Sequence, residues 1–256
     1  MGQQKEFIRV LQLTDPHLFA DREATLRGRT TWETLAAVIE HYRQGRWRAD
    51  LVYLTGDLAQ DESRGAYRNL RAAIDPLALP VELVPGNHDD PAFIREELAD
   101  YGYCSVRRET GWNLIGLNSH QPGVVGGRLG AAELDRLDAV LETDKNRPAA
   151  VFLHHPPVQL GSQWLDRIGL EDGDELCGRA RNHANLRLLV FGHAHQAFDR
   201  SDGSLRILGT PSTGRQFSPG STEFELDDRP PAYRRLEFGA DGSFSTELIW
   251  IDNDDD

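Results

Sequence analysis

Val81-Glu82-Leu83-Val84-Pro85-Gly86-Asn87-His88-Asp89 joins a short apolar run to a glycine and then to three side chains able to donate to a metal ion. A run of this length, rich in Val and Leu, suits a buried strand. Similar runs occupy Phe7 to Leu13, Leu51 to Leu54, Asn113 to Leu117, Ala149 to Leu153 and Arg187 to Phe191. Between them, apolar residues at three- and four-residue intervals predict helices over Thr31 to Arg43, Ser63 to Ile74, Pro91 to Leu98 and Ala131 to Glu142. The alternation is β-α-β. From Leu205 onward it gives way to strands around Ile207 to Leu208, Glu223 to Leu226, Tyr233 to Phe238 and Phe244 to Ile251, with Asp-Gly turns at 202–203 and 241–242. That segment reads as a second, mixed or antiparallel sheet. The expected fold is therefore a four-layer α/β/β/α sandwich, two mixed sheets flanked by helices. One domain spans residues 1–256, with Asp252 to Asp256 as a frayed acidic tail.

Five of the six runs end in polar clusters of one chemical type: Asp15-Pro16-His17, Gly56-Asp57, Gly86-Asn87-His88-Asp89, His154-His155 and Gly192-His193-Ala194-His195. Open α/β sheets bind ligands beyond the carboxyl ends of their strands, so these ends predict one crevice lined by Asp, Asn and His. Imidazoles and carboxylates together suit Mn, Fe, Co or Zn, and the cations relieve the repulsion that carboxylates alone would suffer. Gly56, Gly86 and Gly192 are expected to turn the chain through positive φ. Taken singly, a Gly-Asp is a turn and a lone buried His is a core residue. The ordered set leaves those plainer readings little room.

Composition narrows the partners. A formal net charge of −13 at pH 7 argues against gripping nucleic acid or an anionic membrane through a broad basic surface. No apolar h-region opens the chain, and no stretch approaches the roughly 18 apolar residues of a membrane span, so a cytoplasmic location is expected. Cys104 and Cys177 fall in no CxxC pattern and read as reduced structural thiols. Oxygen and nitrogen donors are left to hold any metal.

Asp15-x-His17, Gly56-Asp57, Gly86-Asn87-His88-Asp89, His154 and Gly192-His193-x-His195 resemble the full motif set of the calcineurin-like metallophosphoesterase superfamily, with no motif position departing from it. Leu11 to Ala20, Thr31 to Thr34, Trp164-Leu165-Asp166 and Gly209 to Phe217 resemble, more narrowly, the bacterial class III cyclic-AMP phosphodiesterases. The resemblance implies two divalent ions, Fe and Mn first with Zn or Co as alternatives. One would be held by Asp15, His17, Asp57 and His195, the other by Asp57, Asn87, His154 and His193, with Asp57 bridging. With two carboxylates and a bridging hydroxide the centre keeps a net charge of roughly +1, which attracts phosphate into an acidic protein. His88 is the implied proton donor to the leaving group. Asp89 either orients His88 or caps the helix before Pro91. His155 is expected behind the ligands or against substrate, His120 on a surface loop, and His41 and His183 outside the chemistry.

Three functions fit this pattern. The first is hydrolysis of 3',5'-cyclic AMP to 5'-AMP, with a small-molecule diester as partner and the protein a monomer or homodimer. The second is a broader phosphodiesterase acting on glycerophosphodiesters and similar diesters. The third is a metal-binding regulatory protein without turnover, which need not retain His88. Substrate walls are expected at Asp21 to Thr30, Gln159 to Leu170 and Pro211 to Gly220, with Arg29 or Arg215 meeting phosphate or base.

Overall fold

The computed structural model describes residues 6–251; the expected acidic tail at 252–256 lies outside them. The N-terminal half runs β1 (Phe7–Leu13), β2 (Thr25–Leu26), β3 (Arg29–Thr30), α1 (Thr31–Gln44), β4 (Leu51–Thr55), α2 (Arg64–Ile74), β5 (Val81–Val84), α3 (Pro91–Glu97), β6 (Gly102–Tyr103), β7 (Val106–Glu109) and β8 (Trp112–Gly116). There follow α4 (Gly130–Thr143), β9 (Ala149–Phe152), α5 (Gln163–Asp166), α6 (Gly173–Asn182), β10 (Leu186–Phe191), β11 (Phe198–Asp202) and β12 (Leu205–Gly209). The chain closes with β13 (Gln216–Phe217), β14 (Leu226–Asp227), β15 (Ala232–Gly239) and β16 (Phe244–Trp250).

Two six-stranded sheets result, in the orders β16-β15-β1-β4-β5-β6 and β11-β12-β10-β9-β8-β7. The central strands of each run parallel, while β15, β16, β11 and β7 pair antiparallel at the edges. Both sheets are thus mixed, as expected. The allocation of the C-terminal strands differs from expectation. They do not form one sheet: β15 and β16 complete the first sheet beside β1, β11 and β12 extend the second, which already begins at Val106, and β13 and β14 pair as a separate two-stranded ribbon. Alternation along a strand marks which face is buried, and carries no information about which sheet edge the strand will join. The Asp-Gly pairs do turn as read, with Gly203 and Gly242 at positive φ between β11 and β12 and between β15 and β16.

The layers follow from side-chain alternation. On β1, Leu11 and Leu13 pack toward α1 to α3, while Ile8 and Val10 face the second sheet. β4 does the same, with Val52 and Leu54 on one side and Leu51 and Tyr53 on the other. Helices α4 to α6 cover the outer face of the second sheet through Leu134, Leu137, Leu165, Leu176 and Cys177. Between the sheets, the Tyr53 and Phe152 rings stack at 3.7 Å, and the fully buried Trp112 packs on Phe238 while its indole N–H donates to the Gly239 carbonyl at 2.9 Å. Among the described residues no helix is long and apolar enough to cross a membrane.

Trp112 fills the interior where the two sheets meet. Trp112→Ala is expected to lower unfolding free energy by about 3–5 kcal/mol with an unchanged denaturant slope. Urea unfolding followed by circular dichroism reads this directly; a loss below about 1 kcal/mol would mean that the inter-sheet core does not hold the layers together.

Candidate metal centre

The polar segments that follow β1, β4, β5, β9 and β10 converge at one end of the sandwich. The loops after β1 and β4 continue the parallel ladder beyond the strands: the Asp15 amide donates to the Gly56 carbonyl at 3.1 Å, and the His17 amide to the Asp57 carbonyl at 3.0 Å. Turning these segments inward requires a left-handed backbone, and apart from Gly56 the residues that adopt it are not the ones expected. Of the three motif glycines only Gly56 has positive φ; Asp15 (52°), His17 (46°), Asp57 (48°), His193 (62°) and His195 (47°) carry the rest themselves. Such backbone costs of order 1–3 kcal/mol per non-glycine residue and persists only where surrounding bonds enforce it. Gly86 and Gly192 serve close approach instead. A Cβ on Gly86 would lie 2.2 Å from Asp57 Oδ1, and one on Gly192 would lie 2.1 Å from Thr14 Oγ1.

Two groups of donor atoms result. In the first, His195 Nε2 lies 3.3 Å from Asp15 Oδ1 and 3.2 Å from His17 Nε2, which is 3.6 Å from Asp57 Oδ2. In the second, His154 Nε2 lies 3.4 Å from Asp57 Oδ1, 3.2 Å from Asn87 Oδ1 and 3.2 Å from His193 Nδ1; Asn87 Oδ1 and His193 Nδ1 are 3.0 Å apart. Asp57 therefore turns one oxygen toward each group.

Hydrogen bonding around the rings shows why these atoms fit cations. His154 Nδ1 faces the Thr55 carbonyl at 2.8 Å and His195 Nδ1 the Arg215 carbonyl at 2.6 Å. A carbonyl only accepts, so each Nδ1 carries the hydrogen, and in its neutral form each ring aims an Nε2 lone pair inward. Those lone pairs then face the oxygens of Asp15 at 3.3 Å, Asp57 at 3.4 Å and Asn87 at 3.2 Å, an arrangement that repels unless positive charge lies among them. Ligands about 2.0–2.2 Å from one ion sit roughly 3.0–3.6 Å from each other at tetrahedral or octahedral angles, which is the spacing seen.

Electrostatics points the same way. Burial pushes His17 down to about 4 and His193 to about 3, so both rings are neutral at pH 7. Burial also disfavours charge on His154, but the Asp57 carboxylate outweighs it and raises the ring to about 9. Burial would raise Asp57 and Asp15; the neighbouring histidines, His154 for Asp57 and His195 for Asp15, hold both carboxyls below their usual range. A metal cation held by these donors would take the place of the proton on His154.

His88 stands half-buried at the cleft, its ring 5.2 Å from that of His17 and its Nδ1 3.4 Å from the Gln60 amide nitrogen. Its backbone N–H donates to Asp57 Oδ1 at 2.9 Å. Asp89 takes neither expected place. The cap of α3 is Asp90, which accepts from the Ala92 and Phe93 amides; Asp89 accepts from the amides of Leu58, Ala59 and Gly86 and from the Tyr67 hydroxyl. It ties the Asp57 loop to the Gly86 loop and makes no hydrogen bond to His88. Burial and the Asp57 charge push its carboxyl up to about 7, against those amides.

His155 is committed to Ser119 Oγ at 2.8 Å and the Val125 carbonyl at 3.0 Å, and it packs against the rings of His154 and His193 behind the cleft. His120 is half-buried rather than a surface residue, and its Nδ1 contacts the Gly86 carbonyl at 2.9 Å. His41 and His183 bond to Tyr233 and Asp138, away from the centre. Both cysteines are free and outside the donor groups. Residues missed by sequence reasoning act mainly through backbone carbonyls, as Thr55 and Arg215 do, and a carbonyl has no residue-type signature. The cleft above the donors is walled by Leu26 and Arg27, by Trp164, Leu165 and Ile168, and by Arg215 and Phe217, from the three segments expected, together with Val125 and Phe224, which were not.

Residues 8–197 match the family described as calcineurin-like phosphoesterase. Over 253 residues the chain is 37% identical to the 3',5'-cyclic adenosine monophosphate phosphodiesterase of Pseudomonas aeruginosa, covering 95% of this chain and 90% of that one. It is likewise 37% identical to the enzyme of the same name from Escherichia coli K12, covering 94% of this chain and 89% of the relative. Among solved structures, a dimetal phosphatase from Danio rerio aligns with a TM-score of 0.65 at 17% identity, covering 95% and 98% of the two chains. The Plasmodium protein GAP50, described as the anchor in the inner membrane complex, also aligns at 0.65 with 11% identity, covering 96% and 85%. The structural likenesses speak to the fold. With the family match over most of its length, its close relatives and its paired donor groups, the chain belongs to the calcineurin-like phosphoesterase family.

Proposed function

We propose that this protein is a dinuclear metallophosphodiesterase that hydrolyses 3',5'-cyclic AMP to 5'-AMP. The observation that carries the reading is the division of Asp57, whose two oxygens face two separate sets of nitrogen and oxygen donors. The names of the relatives from Pseudomonas aeruginosa and Escherichia coli supply the substrate. Asp15, His17, Asp57 and His195 would hold one ion, and Asp57, Asn87, His154 and His193 the other. A mixed set of imidazole, carboxylate and amide donors suits Mn, Fe, Co or Zn, and the family resemblance puts Fe or Mn first. Two such ions supply positive charge to polarise the phosphoryl oxygens and lower the pKa of water that attacks phosphorus.

The chain's own residues do the rest. Thr55 and Arg215 fix the imidazole tautomers through their carbonyls, and the His88 amide holds Asp57 in place. Asp89 locks together the two loops that bear Asp57 and Asn87, which makes it a positioning residue. His88 presents its ring to the cleft and gives a proton to the departing ribose oxygen, which leaves poorly as an alkoxide. The open cleft accepts a small diester, and the chain's net charge of −13 gives nucleic acid no basic surface to bind.

Asp57→Asn should lower kcat/KM for cyclic AMP by at least about a thousandfold and reduce bound metal on Mn-loaded protein, measured by elemental analysis beside turnover. Full activity in that variant would overturn the shared-carboxylate reading. His88→Ala should retain metal while losing roughly a hundred- to ten-thousandfold in kcat on cyclic AMP. Its loss on bis-p-nitrophenyl phosphate should be much smaller, because nitrophenolate needs no proton to depart. Equal losses on the two substrates would remove His88 as proton donor. Parent enzyme that strongly prefers a glycerophosphodiester over cyclic AMP would replace the substrate named here.

A further inference from the structure

Above the donor groups, beside Arg27 and Arg215, much of the cleft wall is apolar or aromatic and offers a phosphate nothing. Trp164, Phe217 and Phe224 meet edge to face, each pair of rings 5.3 Å apart, and all three line the cleft. Phe217 stacks on His195 at 4.1 Å with the planes 8° apart, so the aromatic ledge begins against an imidazole of the first donor group. Phe224 is 42% exposed although large and apolar, and the Arg27 guanidinium lies over its ring at 4.0 Å. Leu26, Val125 and Ile168 extend the apolar wall.

The ledge is braced by the protein rather than left loose. Asp166 accepts from the amides of Leu160 and Gly161, fixing the turn that carries Trp164. Ser162 Oγ accepts from the Gly220 amide at 2.8 Å, and the Gln163 amide donates to the Ser221 carbonyl at 3.1 Å, joining the Trp164 segment to the hairpin that bears Phe217 and Phe224. Trp164 Nε1 donates to Ser221 Oγ, Gln60 contacts His88, and Arg215 Nε donates to the Arg27 carbonyl. The indole N–H of Trp164, the one polar atom of the three rings, is thus occupied within the protein, while the exposed Arg27 guanidinium lies over Phe224 in contact with solvent.

Resting on the phosphodiesterase reading above, we infer that Trp164, Phe217 and Phe224 receive the nucleobase of the cyclic nucleotide and read its flat faces, not its hydrogen-bonding edge. Every base offers a π face, so stacking binds adenine and guanine alike. Rejection by a factor of ten thousand or more requires buried polar groups that a wrong substrate leaves unpaired; the three rings have only the Trp164 N–H, which is spent on Ser221, and Arg27 is exposed and stays solvated when unpaired.

The test measures kcat/KM on Mn-loaded protein for cyclic AMP, cyclic GMP and the baseless methyl riboside 3',5'-cyclic phosphate. The two purine nucleotides should agree within about tenfold, and both should exceed the baseless analogue by about ten- to a hundredfold. Phe224→Ala, at an exposed position that folding does not need, should bring that ratio down by about tenfold, and Trp164→Ala should do so further. Calorimetry on the same variants should show 5'-AMP binding weakened about tenfold more than inorganic phosphate binding. An unchanged ratio in Phe224→Ala, or a purine preference above a thousandfold, overturns the inference. If the parent hydrolyses alkyl diesters but neither cyclic nucleotide, the substrate reading fails, and the 5'-AMP binding arm still decides whether the ledge takes a base.

Discussion

The buried carboxylate of Asp57 is the constraint on which the site depends. Its two oxygens face two donor groups, and Oδ1 is held by the His88 amide and closely approached by the backbone of Gly86. A carboxylate in that position, with Asp15 nearby and both removed from water, needs positive charge close at hand. His154, raised to about 9, supplies part of it as a proton. Divalent cations would supply more, and would turn the close approach of donor atoms from His17, His154, His195, Asp15 and Asn87 into a set of bonds.

This demand extends into the fold. Strands β1, β4, β5, β9 and β10 all lie inside their sheets, flanked by partners on both sides, so the segments that follow them start from fixed positions. The left-handed residues Asp15, His17, Asp57, His193 and His195 are kept in costly conformations by that rigidity and by carbonyls and amides of neighbouring loops. Asp89 belongs to the same bracing. It uses a buried carboxylate to gather amides from Leu58, Ala59 and Gly86, so the Asp57 and Asn87 loops cannot move independently.

Much of this was legible in the sequence because residue type and period carry the relevant physics. Apolar runs gave the strands within a residue or two, and Asp, Asn and His at their ends announced the crevice. What was not legible depended on neighbours distant in the chain. Gly86 and Gly192 resembled Gly56, yet only Gly56 needs positive φ; the other two leave room for Asp57 and Thr14. Asp89 and Asp90 are adjacent and identical in type, and only the fold assigns the helix cap to the second. The C-terminal strands alternate as read, but which sheet each one joins is set by the open edges beside β1 and β10. Carbonyls such as Thr55 and Arg215, which orient imidazoles, leave no mark in a sequence at all.

The most direct test of the central claim is a crystal structure of Mn-loaded protein with anomalous scattering at the metal edge. The account predicts two anomalous peaks, one bonded to each oxygen of Asp57, with His17 and His195 beside the first and His154 and His193 beside the second. A single peak, or two peaks of which one lies out of reach of Asp57, would contradict it.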